Sequence, residues 1–597
     1  MVSYPINLSA DILQLKQKQK VCHYLISKFR GGQFLKMINI KCGQQENFYQ
    51  LSETICNFVF KTYPIFATYN GVHDFDECIN TLSKTELEQN HRQISKFIDT
   101  LTAFDESTLN VDSGVDHNLL LSFLKTQVLD YEIIRSFKTN PMIYTDTVSQ
   151  GIFSLIRRRF APLNKRFRSI IEREKFIPKI LQSARENLDN PPAYITTKTI
   201  ELTTGALSLF ETILPKLASE LTDNSLKRRF HEGNDIVILE IKKYLSFLEE
   251  ELQPRSNGSY VLGEKIFSQL LFLTENVDIP VTELKKFGLR ELRRLQNLFI
   301  STSQRMNSDC SPAENIESVL NDYLEPDQLI PYTASLVEKI KNFIIDRDIV
   351  TIPRDVTCTV EPMPSFLWGF AAMSTPGAFE SKSTESFYYV EPVKDEWSEE
   401  HKREHLKALN KWTMESVSIH EAYPGHFIQG IYTRNLKSKV KKIFQSSAAH
   451  EGWAHYCEEM MVEEGYGNND PRFLMGFLRE CLIRVCRYHV AIGLHTGEMS
   501  VDDGIEFFKK EGYMDPYTAR EETLRGIYDP LYLVYTLGKL LMFKIRNDYK
   551  NEKNGNYSLK MFHDEYLNVG PIALPLAKKL LLNKNNKYSL FQDFPVT

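Results

Sequence analysis

The sequence predicts a mainly α protein with one small β-sheet or hairpin near residues 351–395, and three observations carry that prediction. From about residue 46 to 350, apolar residues recur at helical spacing, as in Leu119, Leu120, Phe123, Leu124, Val128 and Tyr131. Between 351 and 395 the pattern changes. Thr357-Cys358-Thr359-Val360 and Phe387-Tyr388-Tyr389-Val390 have the β-branched and aromatic composition of strands, with a turn signal at Pro376-Gly377 between them. Beyond residue 411 helical spacing resumes, with Trp412, Met414, Val417 and Ile419 on a segment that runs to Ala422.

Taken in order, residues 1–45 read as an N-terminal extension, 46–350 as a helical body and 351–597 as the part that bears the candidate site. Residues 46–597 are also consistent with a single domain, since 597 residues at 42% hydrophobic content can bury a sizeable core. Asn190-Pro191-Pro192 and Arg255-Ser256-Asn257-Gly258 interrupt the helical pattern as short loops. Neither is long or rich in serine and glycine, so neither reads as a flexible linker.

Composition excludes several function classes. A net charge of −5 provides no global basic field for nucleic acid. The cluster Arg157-Arg158-Arg159 with Lys165, Arg166 and Arg168 shares its segment with Glu172 and Glu174 and reads as a solvated face. Nine scattered cysteines without Cys-x-x-Cys spacing argue against a disulfide framework and a cysteine-based zinc site, and for a reducing compartment. Met1 to Ala10 lacks a basic start and an apolar run. The longest uncharged stretch, Pro362 to Phe379, carries three prolines and is unsuited to a membrane span. The expected location is the cytoplasm, with no membrane or nucleic-acid partner; the oligomeric state is not legible.

The most informative stretch is His420-Glu421-Ala422-Tyr423-Pro424-Gly425-His426, which sets two imidazoles and a carboxylate around a turn. Histidines six residues apart on an unbroken helix point roughly 120° away from each other. Both reach one metal only if the backbone leaves the helix between them. Pro424-Gly425 is that departure, because proline removes a ladder donor and glycine accepts unusual backbone angles. The alternative reading is a helix end with capping or surface histidines.

A second helix is expected over Ser447 to Glu464, with Ser447 as N-cap and Gly465 just beyond its end. Glu451 on that helix is the candidate third ligand, completing a His2Glu set that leaves one position open, as catalytic zinc sites do. Glu458, two turns later on the same face, is placed to orient a ligand histidine from behind. His450 and His455 form a rival pair, but five-residue spacing splays them by roughly 140° on an unbroken helix. They therefore read as packing or supporting residues, with His455 beside Glu458.

These motifs resemble the family known as domain of unknown function 885, regarded as zinc metallopeptidases of the gluzincin type. The resemblance rests on Tyr63-Pro64-x-x-Ala67-Thr68 with Gly71 and His73, the His420 to His426 motif, Glu451-Gly452-Trp453-Ala454, Arg484 with Gly493-x-His495, and Gly570 to Pro575. It covers about residues 46 to 595. It implies a helical, metallopeptidase-like body with a central groove and one Zn²⁺ on two central helices. Two departures, Ala491 in place of the usual aspartate and Leu531-Tyr532-Leu533 in place of a Gly-Gln-Ala stretch, bear on substrate choice and not on the proposed ligands.

The expected chemistry is hydrolysis of a peptide or other amide by a metal-activated water, with His420, His426 and Glu451 as ligands and Glu421 as general base. Tyr528 and Tyr535 are candidate donors to the oxyanion. Arg525 or Arg484 is a candidate clamp for a substrate C-terminal carboxylate, which points toward a carboxypeptidase or dipeptidase. Tyr389, on the predicted sheet, is a candidate contact for an extended substrate added at a strand edge. An amidase acting on non-peptide substrates, or a helical scaffold that binds a partner protein, remains open at this level.

Overall fold

A computed structural model describes residues 32–364 and 369–582 of the chain, and it is mainly helical. A helix spans Gly32–Thr62 and passes through residue 45, so the last part of the expected N-terminal extension is joined to the helical body; residues 1–31 of that extension lie outside the described residues.

Two apolar clusters organise the body. The larger runs from Phe48 through Leu295, Tyr388, Trp453 and Tyr549 to Leu582, so the N-terminal helices and the C-terminal third share one core. The smaller is built from Tyr144, Phe167, Phe230 and Leu248, within the helices between residues 142 and 252. Full burial of side chains of this size contributes roughly 1.5–3 kcal/mol each, which makes these clusters the main source of stability.

The elements that position the candidate site can be named in chain order. Helix α1 (Val281–Met306) is followed by strands β1 (Cys358–Pro362), β2 (Ala371–Ser374) and β3 (Ser386–Val390). Then come α2 (Lys411–Glu421), α3 (His426–Asn435), α4 (Ser447–Glu463), α5 (Pro471–Thr496), α6 (Pro516–Tyr528) and α7 (Val534–Lys553).

The sheet has three strands in the order β1-β3-β2. The two segments with strand composition are neighbours but run parallel, Cys358 opposite Ser386 and Pro362 opposite Val390. The hairpin partner of β3 is β2, antiparallel, with Ala372 opposite Tyr389 and Met373 opposite Tyr388. Ala371-Ala372-Met373-Ser374 carries little strand propensity, and pairing with β3 makes it a strand. Side chains alternate across a strand, so Tyr388 and Tyr389 face opposite sides. Tyr388 turns its hydroxyl to Ser418 Oγ on α2, 3.3 Å away.

The basic cluster is a solvated face only in part: Arg159, Lys165 and Arg168 are exposed, but two of its members turn inward. Arg158 and Arg166 are buried, and Arg158 donates to Ser374 O (2.7 Å) and Glu385 O (2.6 Å), while Arg166 donates to Ala161 O and Leu155 O. Burial leaves backbone carbonyls needing donors, and the guanidinium fork serves several at once. Cys56, Cys78, Cys310, Cys358, Cys457, Cys481 and Cys486 are all free.

Candidate metal centre

The backbone around the two histidines departs from helix where the sequence places Pro424-Gly425. Asn410 caps the start of α2 by accepting from Trp412 N and Thr413 N, and Ala422 N makes the last regular bond, to Ser418 O. The Tyr423-Pro424 peptide is cis, and Gly425 N turns back to Ile419 O at 3.2 Å before α3 starts at His426. A Cβ on Gly425 would lie 1.8 Å from His420 O, so only glycine allows the turn to press against the end of α2. Trp453 of α4 fastens the same turn, its indole N–H donating to Pro424 O at 3.0 Å.

Helix α4 starts one residue earlier than its sequence pattern suggests. Ser446 is the N-cap, accepting from Ala449 N, and its hydroxyl also bonds the buried Glu275, which draws the cap back from Ser447. Gly465 in the left-handed region ends the helix as expected. Gly452 of α4 meets Gly538 of α7 so closely that a Cβ on Gly538 would stand 2.1 Å from Ala448 O. This contact brings the start of α7, with Tyr535, against the site.

The structure gathers His420, His426 and Glu451, with one ligand atom from each all within 4.8 Å of one another. Glu451 Oε2 lies 3.4 Å from His420 Nε2 and 3.6 Å from His426 Nε2. Donors bound at about 2.1 Å around a tetrahedral zinc stand about 3.4 Å apart, so these spacings and this donor chemistry fit a divalent cation. The two imidazole rings are perpendicular, 89° apart, with centroids 4.7 Å apart.

Behind the three donors lies a buried polar network centred on Glu458. Its Oε1 is 2.7 Å from His420 Nδ1, and its Oε2 accepts from Ser416 Oγ and from Arg484 Nη1, each at 2.9 Å. With Nδ1 engaged by Glu458, Nε2 of His420 is directed at the other two donors. Burial opposes the charge on His420, but the bonds to Glu451 and Glu458 outweigh it and hold its pKa up at about 9. Burial likewise opposes the charge on Glu451, and the two histidines overcome it and hold that carboxyl well below its usual range.

Glu421 lies beside the cluster, its Oε2 accepting from Met373 N of β2 at 2.9 Å. In an antiparallel pair the backbone groups of alternate residues point the same way, so the outward edge of β2 at Ala371 and Met373 faces this region. Tyr535 stacks near His420, centroids 6.5 Å apart and planes 19° apart, and its hydroxyl oxygen is 3.5 Å from Arg525 Nη2. Burial, followed by the negative charge of Glu451, raises the pKa of that phenol and keeps it protonated.

Three expected residues fall elsewhere. Arg484, expected as a substrate clamp, is only 6% exposed and committed to Glu458 and Glu480, so it supports the network from behind. Tyr389 belongs to the central strand, on the face opposite the one that meets α2; it is buried, stacks on Phe387 and has Arg157 and Arg158 as charged neighbours. Tyr528 has Lys198, Arg525, Glu521 and Asp529 as charged neighbours and none of the three donors. His455 is fully buried, with Nδ1 3.5 Å from Glu458 Oε1, and burial drives its pKa down to about 3, leaving it neutral. His450 is taken up by Gln429 and Gln445.

The sequence reasoning missed Ser416 and Arg487. Ser416 stands one turn before His420 on the same face of α2, a spacing that could have found it. Arg487 stands three residues after Arg484 on α5, forks onto Glu522 at 2.6 and 2.7 Å, and lies 5.1 Å from the Tyr535 ring centre. The same spacing rule flags it, but its partner on α6 is a matter of tertiary packing.

No curated protein matches the chain. Among solved structures, one described as "a putative lipoprotein of unknown function" from Shewanella oneidensis is 24% identical, with a TM-score of 0.76 over 90% of this chain and 100% of that one. Another, described as a "putative lipoprotein" from Colwellia psychrerythraea, is 15% identical, with a TM-score of 0.71 over 90% of this chain and 98% of that one. Those descriptions go against the cytoplasmic expectation, because two chains of this fold are described as putative lipoproteins. No helix among the described residues is long and apolar enough to cross a membrane, which does not restore that expectation. The model of a family described as bacterial proteins of unknown function, DUF885, matches residues 64–581, and the chain belongs to that family.

Proposed function

We propose that the protein is a metal-dependent hydrolase of amide bonds in peptides, a gluzincin-type peptidase in which His420, His426 and Glu451 hold one divalent cation, zinc in the first instance. The observation that carries this reading is the convergence of two imidazoles and a carboxylate, 3.4 and 3.6 Å apart, with Glu421 adjacent and bonded to a backbone N–H. A bound cation supplies Lewis acidity, polarising the scissile carbonyl and lowering the pKa of water toward ~7.

The protein's own groups do the rest. Glu421 receives the proton of the attacking water and passes it to the departing amine. Met373 N–H occupies its Oε2 and leaves Oε1 for that proton. Glu458 fixes the tautomer and orientation of His420. Tyr535, whose oxygen receives a hydrogen bond from Arg525, keeps its own proton to donate to the developing oxyanion. With Met373 N–H taken by Glu421, the remaining outward backbone groups of β2, those of Ala371 and the Met373 carbonyl, favour an extended peptide over a compact amide, since a strand edge offers main-chain partners to another strand.

Elemental analysis of purified wild type and His426→Ala, together with mass spectrometry of a mixed peptide library, tests the reading. About one zinc per chain, lost in the variant, with cleaved peptides supports it. Zinc without cleavage of any peptide overturns the peptidase assignment, and no zinc overturns the metal site.

A further inference from the structure

Three arginines stand near the centre, Arg484 behind it and Arg487 and Arg525 beside Tyr535, and two of them are already filled. Arg484 is held by Glu458 and Glu480, and Arg487 forks onto both oxygens of Glu522. Arg525 of α6 differs in three respects. Its side chain is 32% exposed. Its Nε and Nη2 both reach one oxygen of Asp529, at 3.3 and 3.1 Å, so a fork suited to two oxygens is served by one. Its Nη1 makes no hydrogen bond among the described residues.

The position of this guanidinium ties it to the reacting centre. It lies 5.8 Å from the centre of the Tyr535 ring, and that ring lies 6.5 Å from the His420 ring. The span from His420 to Arg525 is therefore within reach of about four extended residues. Asp529 is 38% exposed and four residues on in the chain, so it can turn to water when another carboxylate arrives.

Resting on the hydrolase reading above, we propose that Arg525 receives a carboxylate of the substrate and so selects which bond is presented to Glu421. The planar fork matches a carboxylate in two parallel bonds, and the Tyr535 hydroxyl, 3.5 Å from Nη2, helps to position it. Two sources supply that group: the chain end of a peptide cut near its C-terminus, and an aspartate or glutamate close to the bond that is cut. Arg525 is a substrate-binding residue in this proposal, and its bond to Tyr535 links occupancy of the clamp to the oxyanion donor.

The test uses the full chain loaded with zinc and two N-acetylated mixed-sequence peptide libraries, identical except for a free C-terminal acid or a C-terminal amide. Wild type is expected to cleave the acid library near its C-terminus with kcat/KM about tenfold or more above the amide library, or to cleave both libraries beside acidic residues with a similar margin. The first result assigns the chain end and the second the acidic side chain. Arg525→Gln is expected to collapse either preference through a rise in KM, and Arg525→Lys, which keeps the charge without the fork, to retain part of it. Equal cleavage of acid and amide libraries with no acidic bias in wild type overturns the proposal without any variant. So does a uniform fall in kcat on all substrates in Arg525→Gln, which would mark Arg525 as a mere support for Tyr535. Wild type that holds zinc and cleaves neither library takes down the hydrolase reading itself, an outcome distinct from both.

Discussion

Nδ1 of His420 stands 2.7 Å from Oε1 of Glu458, a carboxylate with no exposed surface. Glu458 in turn holds Ser416 and the buried Arg484. Replacing it with glutamine weakens the orienting bond and strips Arg484 of its closer counter-charge. Glu458→Gln is expected to lower metal affinity about 10- to 100-fold, read by competition with a metal-buffering chelator. The apo protein is expected to lose about 3–5 kcal/mol in urea unfolding, because a buried cation is left partly unpaired. Unchanged metal affinity would remove Glu458 from any role at the centre.

Glu421→Gln separates chemistry from assembly. The amide oxygen still accepts from Met373 N, so the fold and the metal content are expected to stay at wild-type levels. Turnover should fall about 100- to 10,000-fold, as expected when a general base is removed. Retained turnover would exclude Glu421 as the base.

Helices α4 and α7 touch backbone to backbone through Gly452 and Gly538, where a Cβ on Gly538 meets Ala448 O at 2.1 Å. Gly538→Ala is expected to push the helices apart and to destabilise the protein by about 1–3 kcal/mol. Because α7 carries Tyr535, kcat should fall along with the melting temperature, and Gly205→Ala, at a position with open space around it, should leave both unchanged.

A pH-dependent contact lies away from the centre. His73 bridges Asp76 and Glu380, each at 3.0 Å, and so ties the segment after residue 70 to the loop between β2 and β3. Burial opposes its charge, but the two carboxylates raise its pKa above the ordinary 6.5. A raised histidine contributes stability that is fully present below 6.5 and is lost as pH rises through the folded value. Glu380 is lowered, burial opposing and His73 prevailing, so its contribution is present above 4.5 and lost as pH falls through the depressed value. The stability gap between wild type and His73→Gln should therefore be widest near pH 5.5 and narrow by about pH 9, measured as urea midpoints. A gap independent of pH would show that packing on Phe160, not charge, is what His73 contributes.

Much of the local geometry was legible because backbone chemistry and spacing carry it. Pro424-Gly425 announced the break that lets His420 and His426 face one another, and Glu451 and Glu458 follow from the period of one helix. The predicted helical body and small sheet are both present. What spacing could not provide was the partner of each long side chain. Arg484 and Arg525 look alike in sequence, yet one is closed over by Glu458 and the other reaches solvent past Asp529. Arg158 turns inward to carbonyls of a hairpin more than two hundred residues away. Tyr389 needed the strand order, because residue alternation gives two faces without saying which one meets α2.

The indole of Trp453 bonds the carbonyl of Pro424, and Glu451 precedes it by two residues on the same helix. Any sliding of α4 therefore drags the turn that presents His426 together with the carboxylate opposite it. The spacing between His426 and Glu451 is therefore coupled to the packing of α4 against the turn. One indole thus keeps two segments, far apart in the chain, in step with each other.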